Sequence, residues 1–79
     1  MSYSIRVVAK TREAARAGIE HQMAEISHHF PQCAQARGAI LALFDSQPDF
    51  NAIGYIVEAH GGVNSVETLV RITRISETP

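Results

Sequence analysis

Residues 27–33, SHHFPQC, contain the residue types in this sequence that are best suited to chemistry. Histidine and cysteine are common zinc ligands in proteins, and zinc usually takes four ligands in tetrahedral geometry. His21 lies two helical turns before His28, so both would face one side of a helix. Recognised zinc sites use spacings such as CxxC, HxxxH or HExxH, and the sequence contains none of them. The possible ligand set would be His21, His28 or His29, Cys33 and His60.

The same stretch is explained more simply as the end of a helix. Pro31 cannot continue a helix, and it disfavours helical backbone angles at Phe30. Histidines in a last helical turn interact favourably with the negative end of the helix dipole, and Cys33 would pack as a small apolar residue. We therefore expect no metal and no cofactor.

Catalysis is not indicated either. Cys33 follows two histidines and lies near the start of a second predicted helix, but the sequence shows no oxyanion-binding loop and no acid partner for a nucleophile. The segment HGGVNS contains glycines but lacks the GxxxxGK(S/T) pattern of a phosphate-binding loop. We therefore predict that the protein is not an enzyme.

The composition fits one small domain spanning residues 1–79. The net charge is −1, so no overall basic field attracts nucleic acid or anionic lipid. A single cysteine excludes an internal disulfide and is consistent with a reducing compartment. The longest apolar run, Ala39–Phe44, is far shorter than the roughly 20 residues that cross a bilayer, and the first residues lack a secretory signal pattern. We expect a cytoplasmic protein with no membrane partner.

Two periodicities define the predicted elements. YSIRVVA alternates with a period of two and is rich in β-branched residues, which is typical of a strand. Thr11 is a good N-cap, and apolar residues then recur every three or four positions, which predicts an amphipathic helix. Gly38 in the second helix would allow the two helices to approach closely. The predicted elements are strands over 3–9, 53–63 and 66–75, and helices over 12–29 and from 32 or 33 to 44, with a polar loop over 45–52.

The turn between the last two strands has two candidates, Gly61-Gly62 and Asn64-Ser65. The glycine pair is the stronger turn dipeptide. The Asn64-Ser65 turn instead places Glu58 opposite Arg71, and cross-strand pairs of opposite charge stabilise a sheet. We choose Asn64-Ser65 and interpret the two glycines as a bulge or bend.

The order of elements predicts an α+β fold, β-α-α-β-β, in which a three-stranded sheet carries an antiparallel helical hairpin on one face. The second strand would run antiparallel to the first, and the third parallel to it. The pattern leaves open which strand is central.

Helices on one face leave the other face of the sheet uncovered. Several apolar residues would point outward there, and a contiguous exposed apolar patch often marks an interface. We predict a homodimer, or a contact with another protein, through this face. The alternative is that these residues are scattered and covered by long charged side chains. The candidate interface residues are Val8, Ile56, Glu58, Leu69, Arg71 and Ile75.

Basic residues cluster in the segment Arg6–Arg16. Lys10, Arg12 and Arg16 flank a predicted helix N-terminus, where backbone N–H groups favour anions. A nucleic-acid or anion contact is therefore the alternative function. The simpler explanation is a hydrated surface on which Arg16 pairs with Glu20 one helical turn later.

The pattern as a whole resembles a group of small uncharacterised proteins encoded by bacteriophages and prophages of Proteobacteria. The likeness rests on the MSYS start, RVVAK, REAARAGIEHQ and the HGGV segment, and it covers most of the chain as patterning. The tail after Val63 departs from the group and is shorter. The resemblance implies a prophage origin and no established activity, and it transfers no functional residue. The sequence thus favours a small, non-enzymatic interaction or assembly protein.

Overall fold

The computed structural model describes residues 1–47, 52–65 and 67–76. The order strand, helix, helix, strand, strand confirms the predicted α+β fold. The elements are β1 (Ser2–Ala9), α1 (Arg12–His29), a short 3₁₀ turn (Pro31–Cys33), α2 (Ala34–Ser46), β2 (Ala52–Gly62) and β3 (Thr68–Ser76).

The three strands form one antiparallel sheet in the order β1-β2-β3. This order answers the question that the sequence left open, because β2 is the central strand. Glu58 lies opposite Arg71 on one side and opposite Arg6 on the other. The predicted register of β2 and β3 is therefore confirmed.

Alternation fixes which face of the sheet is buried. Along β1, Tyr3, Ile5 and Val7 are buried, whereas the residues between them are exposed. Both helices pack on the buried face, so that the core lies between the sheet and the helical hairpin. The largest fully buried side chains are Phe44, Ile19, Met23, Ile40 and Val57.

The limits of α1 follow from local chemistry, as predicted. The Thr11 hydroxyl oxygen accepts a hydrogen bond from the Ala14 N–H at 3.1 Å, which satisfies one of the orphan donors of the first turn. Phe30 leaves helical angles immediately before Pro31. The chain then makes one 3₁₀ turn, so α2 begins slightly later than predicted and extends to Ser46.

The prediction that Gly38 brings the helices together is wrong. A Cβ built at Gly38 would have no heavy atom within 4 Å, and the residue is exposed. Gly18 is the position of close approach, since a Cβ there would lie 2.7 Å from Val7 Cγ1. The glycine therefore allows α1 to lie close to β1 rather than to α2.

The prediction of a bulge at Gly61-Gly62 is also wrong. Gly61 pairs with Tyr3 and with Thr68 without a shift in register, and the irregularity lies near the start of β2, between Ala52 and Gly54. A Cβ at Gly61 would lie 2.7 Å from the Glu67 carbonyl oxygen and 3.0 Å from Tyr3 Oη. Close approach of other groups, rather than a bend, therefore accounts for glycine at this position.

The connection from β2 to β3 lies close to the predicted place. The Ser65 N–H donates to the Gly62 carbonyl oxygen at 3.3 Å, which closes a turn around Asn64. Val66, where the prediction began the third strand, and residues 48–51 of the predicted loop lie outside the described residues.

Candidate interaction face

We use the name open face for the side of the sheet opposite the helices. Because side chains alternate along each strand, this face receives even-numbered residues of β1 and β2 and odd-numbered residues of β3. It carries Ser4, Arg6, Val8, Gly54, Ile56, Glu58, His60, Leu69, Arg71, Thr73 and Ile75. All six predicted interface residues are among them.

A row of charges crosses the middle of the open face. Arg6, Glu58 and Arg71 lie opposite one another on the three strands. Arg6 Nε and Glu58 Oε2 are 3.9 Å apart, and both side chains are well exposed. Exposed ion pairs of this kind contribute little to stability, typically below about 1 kcal/mol. The row therefore affects the charge pattern of the open face more than it affects stability.

An apolar patch, formed by Val8, Ile56 and Ile75, lies on one side of this charged row. Val8 pairs directly with Ile56 across the β1–β2 ladder. Ile75 covers Gly54, because its Cδ1 atom lies 3.3 Å from the position that a Cβ of Gly54 would occupy. Val8 and Ile75 are 62% and 41% exposed, whereas Ile56 is half-buried.

Leu69 lies on the other side of the charged row. It is 66% exposed and pairs with His60, beside a shallow depression of about 330 Å³. From the sequence, Ile56, Leu69 and Arg71 are predicted to belong to one contact. In the structure the charged row lies between Ile56 and Leu69, so the apolar surface is divided into two parts.

The predicted anion site has a different arrangement from the one expected. Arg12 Nη2 donates to the carbonyl oxygens of Phe44 and Asp45, at 3.1 and 2.9 Å, and the guanidinium lies 5.1 Å from the centroid of the Phe44 ring. Its Nη1 is buried and has no hydrogen-bond partner among the described residues. Arg12 thus acts as a cap for the C-terminus of α2.

Arg16 is engaged with the same helix end. Its Nε donates to Asp45 Oδ1 at 3.1 Å, and its Nη1 donates to Glu20 Oε1 at 2.8 Å, which confirms the predicted pair one turn along α1. Hydrogen bonding and charge attraction from Asp45 raise the pKa of the Arg16 guanidinium, and Glu20 adds to this effect. The third predicted anion contact, Lys10, is exposed and makes no such hydrogen bond to the part of the chain that the structure describes.

The candidate zinc ligands are spread over the molecule. His28 and His29 form an edge-to-face pair with centroids 5.3 Å apart, whereas Cys33 is buried and its Sγ lies 3.8 Å from the Val63 carbonyl oxygen. His21 Nε2 lies 3.6 Å from Glu25 Oε1 on the surface of α1, and His60 is on the open face across the sheet. Within the described ranges, no three histidine, cysteine or acidic side chains are grouped to hold a metal ion.

One polar contact at the edge of the sheet was not predicted. The Gln22 carboxamide of α1 bonds both backbone groups of Arg6 in β1: Nε2 donates to the Arg6 carbonyl oxygen at 2.9 Å, and the Arg6 N–H donates to Oε1 at 3.3 Å. A glutamine in the middle of a helix carries no sequence signal for such a contact, which joins two residues 16 positions apart.

Comparison of the chain with protein-family models, curated proteins and solved structures finds no match. The resemblance to phage-encoded proteins therefore stays a prediction. Neither α1 nor α2, the helices of the described part of the chain, is long and apolar enough to cross a membrane.

Proposed function

We propose that the chain is a non-enzymatic assembly protein that forms a homodimer through the open face of its sheet. The observation that carries the proposal is the apolar patch of Val8, Ile56 and Ile75, on a face against which neither helix packs. A contiguous exposed apolar surface is costly unless something covers it. A domain of this size also buries a smaller fraction of its surface on folding than a larger domain does, about 60%, so association adds useful burial.

The size of the face supports a weak dimer. Three strands about 4.8 Å apart, with about eight residues each at 3.3 Å per residue, give a contact surface of roughly 14 by 26 Å. That footprint is roughly 360 Å², well below the about 800 Å² of accessible surface that a standard interface buries on each partner. We therefore expect a dimer that dissociates on dilution.

The charged row favours an offset arrangement of the two copies. Direct stacking about a twofold axis along β2 would place Glu58 opposite Glu58 of the second copy, and like charges at an interface are unfavourable. An offset by one strand instead places Glu58 opposite an arginine of the second copy, and it leaves two strands of each copy in contact rather than three. If the offset is towards β1, Arg6 is that arginine and Val8 faces Ile56. If it is towards β3, Arg71 is that arginine and Ile75 faces Gly54.

Light scattering across a dilution series tests the proposal. We expect wild-type protein to change from dimer to monomer as it is diluted. Val8→Arg and Ile75→Arg should shift this transition to higher concentration, and the variant with the larger shift identifies the direction of the offset. Leu43→Arg is the matched control, because Leu43 on α2 is also 41% exposed but lies away from the open face.

Two outcomes would contradict the proposal. One is a wild-type protein that stays monomeric at the highest concentration reached. The other is a dimer that tolerates both open-face arginines as well as it tolerates Leu43→Arg.

A cytoplasmic location is part of the proposal and is supported by the single cysteine, Cys33, which is buried as a free thiol. The predicted alternative, a nucleic-acid or anion binder, has weaker support, because Arg12 and Arg16 already contact the end of α2. A prophage origin remains a prediction from the resemblance and does not bear on how the open face would work.

A further inference from the structure

A groove of about 750 Å³ runs between the C-terminal half of α1 and the edge strand β1. Ser4 and Ile5 form its floor on the strand side. On the helix side, its lining includes the half-buried apolar residues Ile26 and Phe30 together with polar residues such as His21 and Glu25. The groove lies at the outer edge of β1, and of its lining residues only Ser4 also belongs to the open face.

The backbone of β1 offers hydrogen-bonding groups to this groove. In an antiparallel ladder, successive residues of an edge strand alternately direct their N–H and C=O groups towards the neighbouring strand and away from it. The Val63 N–H donates to the Met1 carbonyl oxygen at 3.3 Å. The backbone N–H and C=O groups of the odd-numbered residues of β1 therefore point towards β2. Both backbone groups of Arg6 bond Gln22 at the outer edge of β1. The backbone groups of the even-numbered residues of β1 therefore point away from β2. Ser2 and Ser4 therefore direct their backbone groups to the outer edge of the sheet, away from β2.

The contact between Gln22 and Arg6 shows which chemical groups this edge can bind. A carboxamide carries one carbonyl and one N–H₂ group, so the Gln22 side chain presents to Arg6 the same donor and acceptor that a neighbouring strand would present. The contact closes the edge at Arg6, and no described residue covers the outward backbone groups of Ser4, where the groove begins.

The position of α1 decides what kind of partner fits. Because Gln22 reaches the outer edge of β1 from α1, the helix overhangs that edge. A second whole copy, with its own α1 beside its own β1, would meet this helix before the strands could pair. A single extended segment is thin enough to enter.

We propose that the groove binds an extended peptide segment of a partner protein, which adds to β1 as a fourth strand. Main-chain hydrogen bonds to Ser2 and Ser4 hold the segment, as in other cases of strand addition to a sheet edge. One apolar side chain of the segment packs against Ile26 and Phe30, and its neighbours point away from the groove. The proposal does not depend on dimerisation through the open face.

Two variants change the edge in opposite directions. Ser4→Pro removes the outward N–H without breaking the β1–β2 ladder, because the N–H of Ser4 does not point towards β2. Loss of this hydrogen bond should weaken peptide binding about tenfold. Gln22→Ala uncovers the backbone groups of Arg6, lengthens the available edge, and should strengthen binding about threefold.

The probe is a displayed library of random heptapeptides, selected on the wild-type protein and counter-selected on Ser4→Pro. We expect enriched peptides that alternate apolar and polar residues and that bind more tightly to Gln22→Ala. In nuclear magnetic resonance spectra, a synthetic copy of the leading peptide should shift the amide signals of residues 2–5 and of α1 from His21 onward.

A variant that fills the groove provides an independent test in case Ser4→Pro does not fold. Ala24 is exposed and lines the groove, so Ala24→Arg should abolish binding, whereas Ala42→Arg on the exposed surface of α2 should not. The proposal is overturned if no peptide distinguishes wild-type protein from Ser4→Pro and Ala24→Arg. It is also overturned if the distinguishing peptides shift the signals of Glu58, Leu69 and Arg71, in the middle of the open face, and not those of residues 2–5.

Discussion

Arg12, the first residue of α1, holds the last turn of α2 by donating from Nη2 to the Phe44 carbonyl oxygen at 3.1 Å while its guanidinium lies over the Phe44 ring. The carbonyl groups at the end of a helix have no partner within the helix and carry partial negative charge. A cation at this position donates hydrogen bonds to these carbonyl groups and interacts favourably with the negative end of the helix dipole. One side chain thus joins the beginning of the first helix to the end of the second.

Replacing this side chain should therefore weaken the whole fold. We expect Arg12→Met to lower the free energy of unfolding by about 2 kcal/mol, because hydrogen bonds to charged groups contribute about 1.5–3 kcal/mol. Urea denaturation would measure the loss. Arg37→Met is the matched control, since Arg37 is an exposed residue of α2, and an equal effect of both variants would rule out a specific cap.

Two glycines in helices should respond to alanine in opposite ways. Gly38→Ala should raise the free energy of unfolding by about 0.5–1 kcal/mol, because alanine has the higher helix propensity and the site has open space. Gly18→Ala should lower it by about 1–2 kcal/mol, because the new methyl group would overlap Val7 Cγ1. Thermal and urea denaturation of both variants would check these signs.

The explanation for Gly18 can be tested with a double-mutant cycle. Val7→Ala removes the Cγ1 atom that alanine at position 18 would meet. In that background, Gly18→Ala should become neutral or stabilising, which corresponds to a favourable coupling between the two positions. Simple additivity of the two losses would show that the close approach to Val7 is not the cause.

The contact between Gln22 and Arg6 should protect the edge of the sheet. We expect Gln22→Ala to lower the free energy of unfolding by about 1 kcal/mol and to speed hydrogen exchange at the Arg6 amide, which loses its acceptor. Gln35→Ala on the exposed surface of α2 should change neither quantity. An unchanged exchange rate at Arg6 would show that the carboxamide does not hold this amide in solution.

Reversing the charge at Glu58 in the charged row should make the free energy of unfolding depend on salt concentration. Glu58→Lys places three positive charges side by side on the three strands, and cross-strand like charges are destabilising. At low salt it should cost about 0.5–1 kcal/mol more than Glu58→Gln. The difference should shrink in molar salt because exposed charges are screened, and denaturation at both salt concentrations would reveal whether it does.

The parts of the fold that the sequence predicted depend on neighbouring residues in the chain. Alternation in β1, the Thr11 cap and the stop at Pro31 are local features, and each was confirmed. The β2–β3 register was predicted because Glu58 and Arg71 form an opposite-charge pair across a short turn. In these cases, interactions between residues close in the chain are sufficient to predict the structure.

The features that the sequence did not predict are contacts between distant parts of the chain. The role of Gly18 depends on which side of α1 lies over Val7, and the role of Arg12 depends on where α2 ends. Periodicity identifies the buried side of a helix, but it does not identify the atoms across the interface. For the same reason, the division of the open face by its charged row became clear only from the strand order.

The central position of β2 has a consequence for how the chain folds. In the described sheet, β1 pairs only with β2, which follows it after both helices. The β2–β3 hairpin and the helical pair form from residues close in sequence, whereas β1 must close a long loop before its ladder contributes. We therefore expect β1 to pair late, after the transition state is largely formed, and during synthesis it must wait on the ribosome until β2 has emerged.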